Sequence, residues 1–174
     1  MRVLRFSPLL ALLTGCMARR GPGRFPAPDL ASLQPQEVVA PGVPGLPGFS
    51  AAVKVGNVVY LSGQVPLDSA GALIGGDDLG AQSRQAFANV ARVIRAAHGV
   101  PADLVQLTVY VSAYDPTTVG IIREAAEPYF EPHVAPALTV VGIGTLPEPR
   151  MRLVVSAVAV LRGQLPDRIR DHGP

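Results

Sequence analysis

The sequence has no tryptophan, one cysteine and, among its 15 basic residues, a single lysine, Lys54. One cysteine excludes an internal disulfide, so the fold needs a hydrophobic core rather than covalent staples. Charged residues fill only 16% of the 174 positions, against 48% for hydrophobic ones. That balance excludes a chain kept unfolded by its own charge, and a long charged coiled coil. No apolar run reaches the ~18 residues that span a bilayer as a helix. Between residues 49 and 162, eight basic residues face nine acidic ones, so the net +2 arises at the ends. A near-neutral, aromatic-poor body argues against a partner held through phosphates, and no nucleic-acid partner is expected.

Familiar chemical motifs are also missing. His98, His133 and His172 are too far apart for metal-ligand spacing, so no metal is expected. Gly142-Ile143-Gly144 lacks the third glycine and following helix of a dinucleotide loop. No Gly-x-Ser-x-Gly elbow is present, and no cofactor is expected. Asp77-Asp78 lies in a glycine-rich loop and reads as a solvated turn.

Glycine and proline are plentiful, 18 of each, and they cluster. Residues 17–48 hold seven prolines and five glycines with neither helical nor strand periodicity. Proline removes backbone donors, so this stretch reads as an extended tether. Before it, Arg2 and Arg5 precede the apolar run Phe6 to Leu13, which leads into Leu13-Thr14-Gly15-Cys16. The run fits a signal-peptide core and is too short to span a membrane. The pattern resembles a bacterial lipoprotein signal, in which small residues admit the backbone to a peptidase and the thiol takes the lipid. Cys16, the only cysteine, is then the lipidation site, and acyl chains would hold the protein on a membrane. The expected location is the cell envelope, facing the periplasm or exterior, or the cytoplasm if the signal reading fails. The expected organisation is a signal peptide over 1–16, a tether over 17–48, one domain over 49–162 and a polar tail over 163–174.

Within the domain, two β-rich runs, 50–55 and 58–64, flank Gly56-Asn57 and predict a hairpin. A helix is predicted from about Leu79 to His98, because Phe87, Val90, Ala91, Ile94 and Ala97 recur at three- and four-residue spacing. Gly99 is its natural stop. A strand over 103–112 follows. A second helix then runs to about Phe130, opened by Asp115-Pro116-Thr117-Thr118. Two further strands, 137–143 and 151–161, lie around a Pro147–Pro149 turn. The order β-β-α-β-α-β-β predicts an α+β layer sandwich with one sheet on one side and two helices on the other. Residues 153–161 are apolar except for Ser156, so that strand needs cover on both faces. One helical layer covers only one face, which points to another subunit on the other.

These residues carry a resemblance. Gly56-Asn57 with Tyr60-Leu-Ser-Gly-Gln-Val-Pro66 resembles the first hairpin of the RidA (YjgF, reactive intermediate deaminase) family. Gln85-Ala-Phe-Ala-Asn89-Val resembles part of its first helix, and Val109-Tyr-Val111 part of its third strand. Pro136-Ala137 through Leu146-Pro147, then Ser156-Ala-Val-Ala-Val160, resembles its last hairpin. The similarity covers about residues 47–162. It implies the chorismate-mutase-like α+β fold, a homotrimer with ligand clefts between subunits, and an enamine/imine deaminase chemistry. A nuclease role is sometimes ascribed to the family, and the charge balance argues against it.

That chemistry needs a cation to hold the substrate carboxylate, for which the planar fork of Arg suits, and a polar group to place water or relay a proton. At the position of the family's arginine this chain has Leu138. Ser156 stands at its glutamate and Phe49 at its tyrosine, and Arg123 falls near its second-helix asparagine. The resemblance therefore implies a cleft for a small, fairly apolar molecule, with Phe49, Ser62, Gly63, Leu138, Val140, Ser156 and Arg123 as its candidate residues and no assigned catalytic group. A second reading keeps the deaminase activity, with Arg123, Arg150 or Arg152 supplying the cation.

Overall fold

Gly56 takes a φ of +59°, which glycine adopts without steric cost, and it turns the chain between two valine-rich runs. In the computed structural model, which describes residues 30–130 and 134–164, these runs are β2 (Ala52–Val55) and β3 (Val58–Gln64), paired antiparallel. The signal segment, Cys16, residues 17–29, His133 and 165–174 with His172 lie outside the described residues.

The first helix, α1 (Leu79–Ala96), begins where Asp78 accepts hydrogen bonds from the Gly80 and Ala81 amides at 2.8 and 3.2 Å. Its apolar stripe, Phe87 to Ala97, is buried as its spacing predicts. The helix ends slightly earlier than expected. His98, at φ +65°, takes the left-handed position, and the Gly99 amide donates to the Ile94 carbonyl at 2.9 Å. Gly99 is needed for space instead: a Cβ there would lie 2.5 Å from Leu161 Cδ2.

Strand β4 (Leu104–Ser112) leads to α2 (Thr118–Ala126), extended by a 3-10 turn over Glu127–Tyr129. Asp115 does not cap α2 directly. Its Oδ1 accepts from the amide and hydroxyl of Thr117 at 2.7 and 2.6 Å, while its own amide donates to Thr118 Oγ1 at 3.0 Å. This tight turn delivers the chain into the helix. Ile122, Ala125, Ala126 and Phe130 face the core, where Phe130 meets Phe87 edge-on with ring centroids 6.5 Å apart.

The last strands, β5 (Ala137–Ile143) and β6 (Leu153–Val160), are not a hairpin, contrary to the sequence expectation. The sheet order is β1-β2-β3-β6-β4-β5, with β1 at Gln36–Val38. The chain crosses through α2 from β4 to a parallel β5, then returns to lay β6 between β3 and β4. This central place explains the composition of β6. Leu153, Val155, Ala157 and Ala159 are buried under the helices, and Val154, Ser156, Val158 and Val160 alternate with them on the opposite face. Each fully buried large apolar side chain there contributes about 1.5–3 kcal/mol. Both helices cover one face, the α+β arrangement expected. Among the described residues no second layer covers the other face, where Tyr60 and Tyr110 remain 52% and 37% exposed.

The Pro/Gly-rich segment also departs from its expected form. Residues 36–38 pair with β2 as an antiparallel edge strand, Val38 is buried, and Ala40 and Val43 pack against the core. From residue 36 on, the segment's described part is an arm along the domain. Pro35 and Pro41 flank the short strand, and proline is tolerated at an edge because no further ladder bond is needed. Among the described residues no helix is long and apolar enough to cross a membrane.

Candidate functional site

The β3–β6 ladder shifts register between Leu61 and Gln64, which frees Ser62 and Gly63 from regular pairing. The arm passes nearby, and the loop before β6 closes the other side. Together they enclose a cavity of about 500 Å³ lined by Pro44, Leu46, Phe49, Ser62, Gly63, Gln64, Pro147, Glu148, Met151 and Val154, among others. The lining is mainly apolar, as small-molecule sites usually are. Gly63 matters for its close approach, since a Cβ there would lie 2.6 Å from Val154 Cγ1.

Hydrogen bonds fix the walls. Ser62 Oγ donates to the Ser50 carbonyl at 2.7 Å. Buried Asn89, on α1, donates to the Val65 and Leu67 carbonyls at 2.8 and 3.0 Å, tying the end of β3 to the helix. Gln82, also fully buried on α1, donates to the Arg150 carbonyl at 2.8 Å and accepts from the Arg152 amide at 2.7 Å. It thereby holds the loop that carries Glu148 and Met151.

Within one chain the structure does not bring all the sequence-derived candidates together. Phe49, Ser62 and Gly63 share the cavity just described. Leu138 and Arg123 line a second cavity of about 400 Å³, with Phe87, Leu107, Ile122, Phe130 and Glu127 among its walls. Val140 packs against the core from β5. Ser156 lies in a shallow depression on the uncovered sheet face, beside Tyr60, Gln106 and Thr108. The Cys16 site is outside the described residues.

The three arginines considered as replacement cations also separate. Arg150 pairs with Glu148 at 3.5 Å and is exposed. Arg152 donates to the Asp77 carbonyl at 3.3 Å, and its Nε is buried. Only Arg123 shares a cavity with Leu138. Asp78 is a helix cap rather than a ligand, and His98 is exposed at the helix end. No group of three metal-ligating side chains occurs among the described residues.

Among the described residues one carboxyl is perturbed. The Thr117 hydroxyl and amide hold Asp115 below its ordinary value of 3.8, with a smaller contribution from the Arg152 charge. It lies on the surface and reflects the turn before α2 rather than a catalytic group. Sequence reasoning missed Pro44, Leu46, Glu148 and Met151 as cavity walls, because they come from a segment read as tether and from a loop. Gln64 stood in the strand motif but was not singled out.

Comparison with known proteins gives the same fold. The family model described as Endoribonuclease L-PSP matches residues 43–161. A 2-iminobutanoate/2-iminopropanoate deaminase of Salmonella typhimurium is 32% identical over 116 residues, which is 66% of this chain and 88% of the relative. Its Escherichia coli counterpart is 31% identical over the same shares. The crystal structure of the YjgF gene product from E. coli superposes with a TM-score of 0.65 at 27% identity, covering 73% of this chain and 99% of that one. A structure of E. coli TdcF with bound serine gives 0.64 at 26% identity, covering 72% and 98%. With the family model spanning nearly the whole described domain, and the strand order and helices in place, this chain belongs to the Endoribonuclease L-PSP family, the RidA/YjgF family its sequence resembles.

Proposed function

We propose that this protein binds a small, fairly apolar metabolite in clefts formed between copies of itself, and does not turn over imino acids efficiently. The observation that carries the reading is the cavity at Phe49, Ser62 and Gly63, which is mainly apolar and has no Lys, Arg or His among the described residues of its lining. Leu138, where the resemblance puts the family's arginine, offers a hydrocarbon in place of a cation. A hydrogen bond to a charged group contributes about 1.5–3 kcal/mol, so its loss costs on the order of ten- to a hundred-fold or more in rate.

Self-association is supported by the uncovered sheet face, with Val154, Val158, Val160, Tyr60 and Tyr110 on it. A second copy there would remove these side chains from water and bring the Leu138 region of one chain toward the Phe49 cavity of another. A homotrimer is the assembly the family resemblance implies. The lipoprotein-type signal ending at Cys16 supports attachment to the cell envelope.

A second reading has its own observation. Arg123 and Leu138 line one cavity, so a guanidinium stands near the position where the family's cation is expected. In this reading the protein is an enamine/imine deaminase with a relocated carboxylate anchor.

The test is hydrolysis of freshly generated 2-iminobutanoate, followed by semicarbazide trapping. The expected result is the spontaneous rate, unchanged by Arg123→Ala. Acceleration that disappears in Arg123→Ala would replace the binding reading with the deaminase one.

A further inference from the structure

Two polar side chains of the 500 Å³ cavity, Ser62 and Gln64, have their donors engaged and acceptors to spare. Ser62 Oγ gives its proton to the Ser50 carbonyl at 2.7 Å. Gln64 Nε2 donates to the Ser62 carbonyl at 3.0 Å and to the Ala51 carbonyl at 3.4 Å. Those two carbonyls fix the amide orientation, because a flipped amide would set its oxygen against both. Gln64 is 2% exposed, and its Oε1 has no hydrogen-bond partner. A buried acceptor left unpaired is unfavourable until something donates to it.

Glu148 is the one ionisable side chain among the described residues of the wall. Its carboxylate accepts from the Arg150 amide at 2.6 Å and meets Arg150 Nε at 3.5 Å. Arg150 is exposed and, unlike Glu148, does not line the cavity. A carboxylate offers about four lone-pair sites, and two contacts leave it room to accept more. Apart from Ser50, Ser62 and Gln64, the rest of the described wall is hydrocarbon or backbone. Among the described residues of this chain's lining, a bound carboxylate would meet like charge and no side-chain cation. A bound ammonium would meet the opposite charge in a partly dehydrated setting, where charge-assisted hydrogen bonds are strongest.

We propose that this cavity selects a small apolar amine in its protonated form, with Glu148 as its acceptor, the unpaired Gln64 Oε1 buried behind the wall as a second acceptor once its side chain shifts, and the apolar wall taking its hydrocarbon part. This rests on the reading of the cavity as a binding site and adds the charge of the ligand. It inverts the preference for a carboxylate that a deaminase of imino acids requires.

Three matched probes separate the possibilities: hexylammonium, hexanol and hexanoate, titrated into the full chain by calorimetry, with wild type, Glu148→Gln and Arg150→Ala compared. The expected order is hexylammonium over hexanol by about tenfold, the scale of one charge-assisted hydrogen bond, with hexanoate weakest. Glu148→Gln should erase the advantage of the amine and leave hexanol unchanged. Arg150→Ala should strengthen amine binding by removing a competitor. Hexanol binding as tightly as the amine, or amine binding untouched by Glu148→Gln, overturns this inference while the apolar-ligand reading stands. Hexanoate binding tightest overturns it in favour of the Arg123 reading. Binding of none of the three overturns both the inference and the cavity's role as a ligand site.

Discussion

Gln82 joins two places far apart in sequence: its side chain donates to the Arg150 carbonyl at 2.8 Å and accepts from the Arg152 amide at 2.7 Å. The residue is fully buried on α1 and also donates to the Gly76 carbonyl. One amide therefore holds both the glycine-rich loop before the helix and the loop that walls the cavity. Gln82→Ala leaves these backbone groups unpaired, each at about 1–3 kcal/mol. The expected result is a loss of at least 2 kcal/mol in urea unfolding, with weaker ligand binding at the Glu148 wall. Gln82→Glu keeps an acceptor for the Arg152 amide but buries a carboxylate against the Gly76 and Arg150 carbonyls, so it should cost at least as much as Gln82→Ala.

Gly63 and Val154 form a second coupled pair. A Cβ on residue 63 would lie 2.6 Å from Val154 Cγ1, and valine is stiff about χ1. Gly63→Ala is expected to destabilise by about 1–3 kcal/mol, as overpacking does. Val154→Ala removes the obstructing methyl, so the double variant should recover part of that loss. A double-mutant cycle from chemical unfolding reads the coupling directly; additive effects would show that the two residues do not meet.

Asp115 links local structure to pH. The Thr117 hydrogen bonds stabilise its charged form, so its folded value lies below the ordinary 3.8. A lowered carboxyl stabilises the fold at every pH above the unfolded value and loses that contribution as pH falls through the folded one. The stability difference between wild type and Asp115→Asn should thus be flat near neutrality and shrink only below about pH 4. Unfolding curves from pH 7 to pH 3 measure it. The group is exposed, so the effect is expected to be small.

Much of this architecture was legible in the sequence because local chemistry marks it. The Gly56-Asn57 turn, the apolar stripe from Phe87 to Ala97 and the strand ending in Ser62-Gly63-Gln64 all sit where their residue types place them. Strand adjacency was not legible. Nothing local to Leu153–Val160 says that it lies between β3 and β4 rather than beside β5, although its two-sided apolar character does fit a central strand. The edge strand at Gln36–Val38 was hidden because three residues between prolines carry no period. The cavity was half legible. Ser62 and Gly63 came from the hairpin motif and Phe49 from its place at the family's tyrosine, whereas Glu148 and Met151 reach the wall through a loop held by Gln82, a contact no sequence pattern encodes.

The central claim is that Phe49 of one chain and Leu138 of another face a common cleft. Cross-linking of Phe49→Cys and Leu138→Cys tests it most directly, in a Cys16→Ser background that removes the one native thiol. In a mixture of the two single-cysteine variants, a short bismaleimide should join unlike chains, and neither variant alone should cross-link efficiently. In the double variant, the products should form a ladder ending at the trimer. A folded protein that stays monomeric in sedimentation, and yields no cross-linked pairs in the mixture, would contradict the shared cleft.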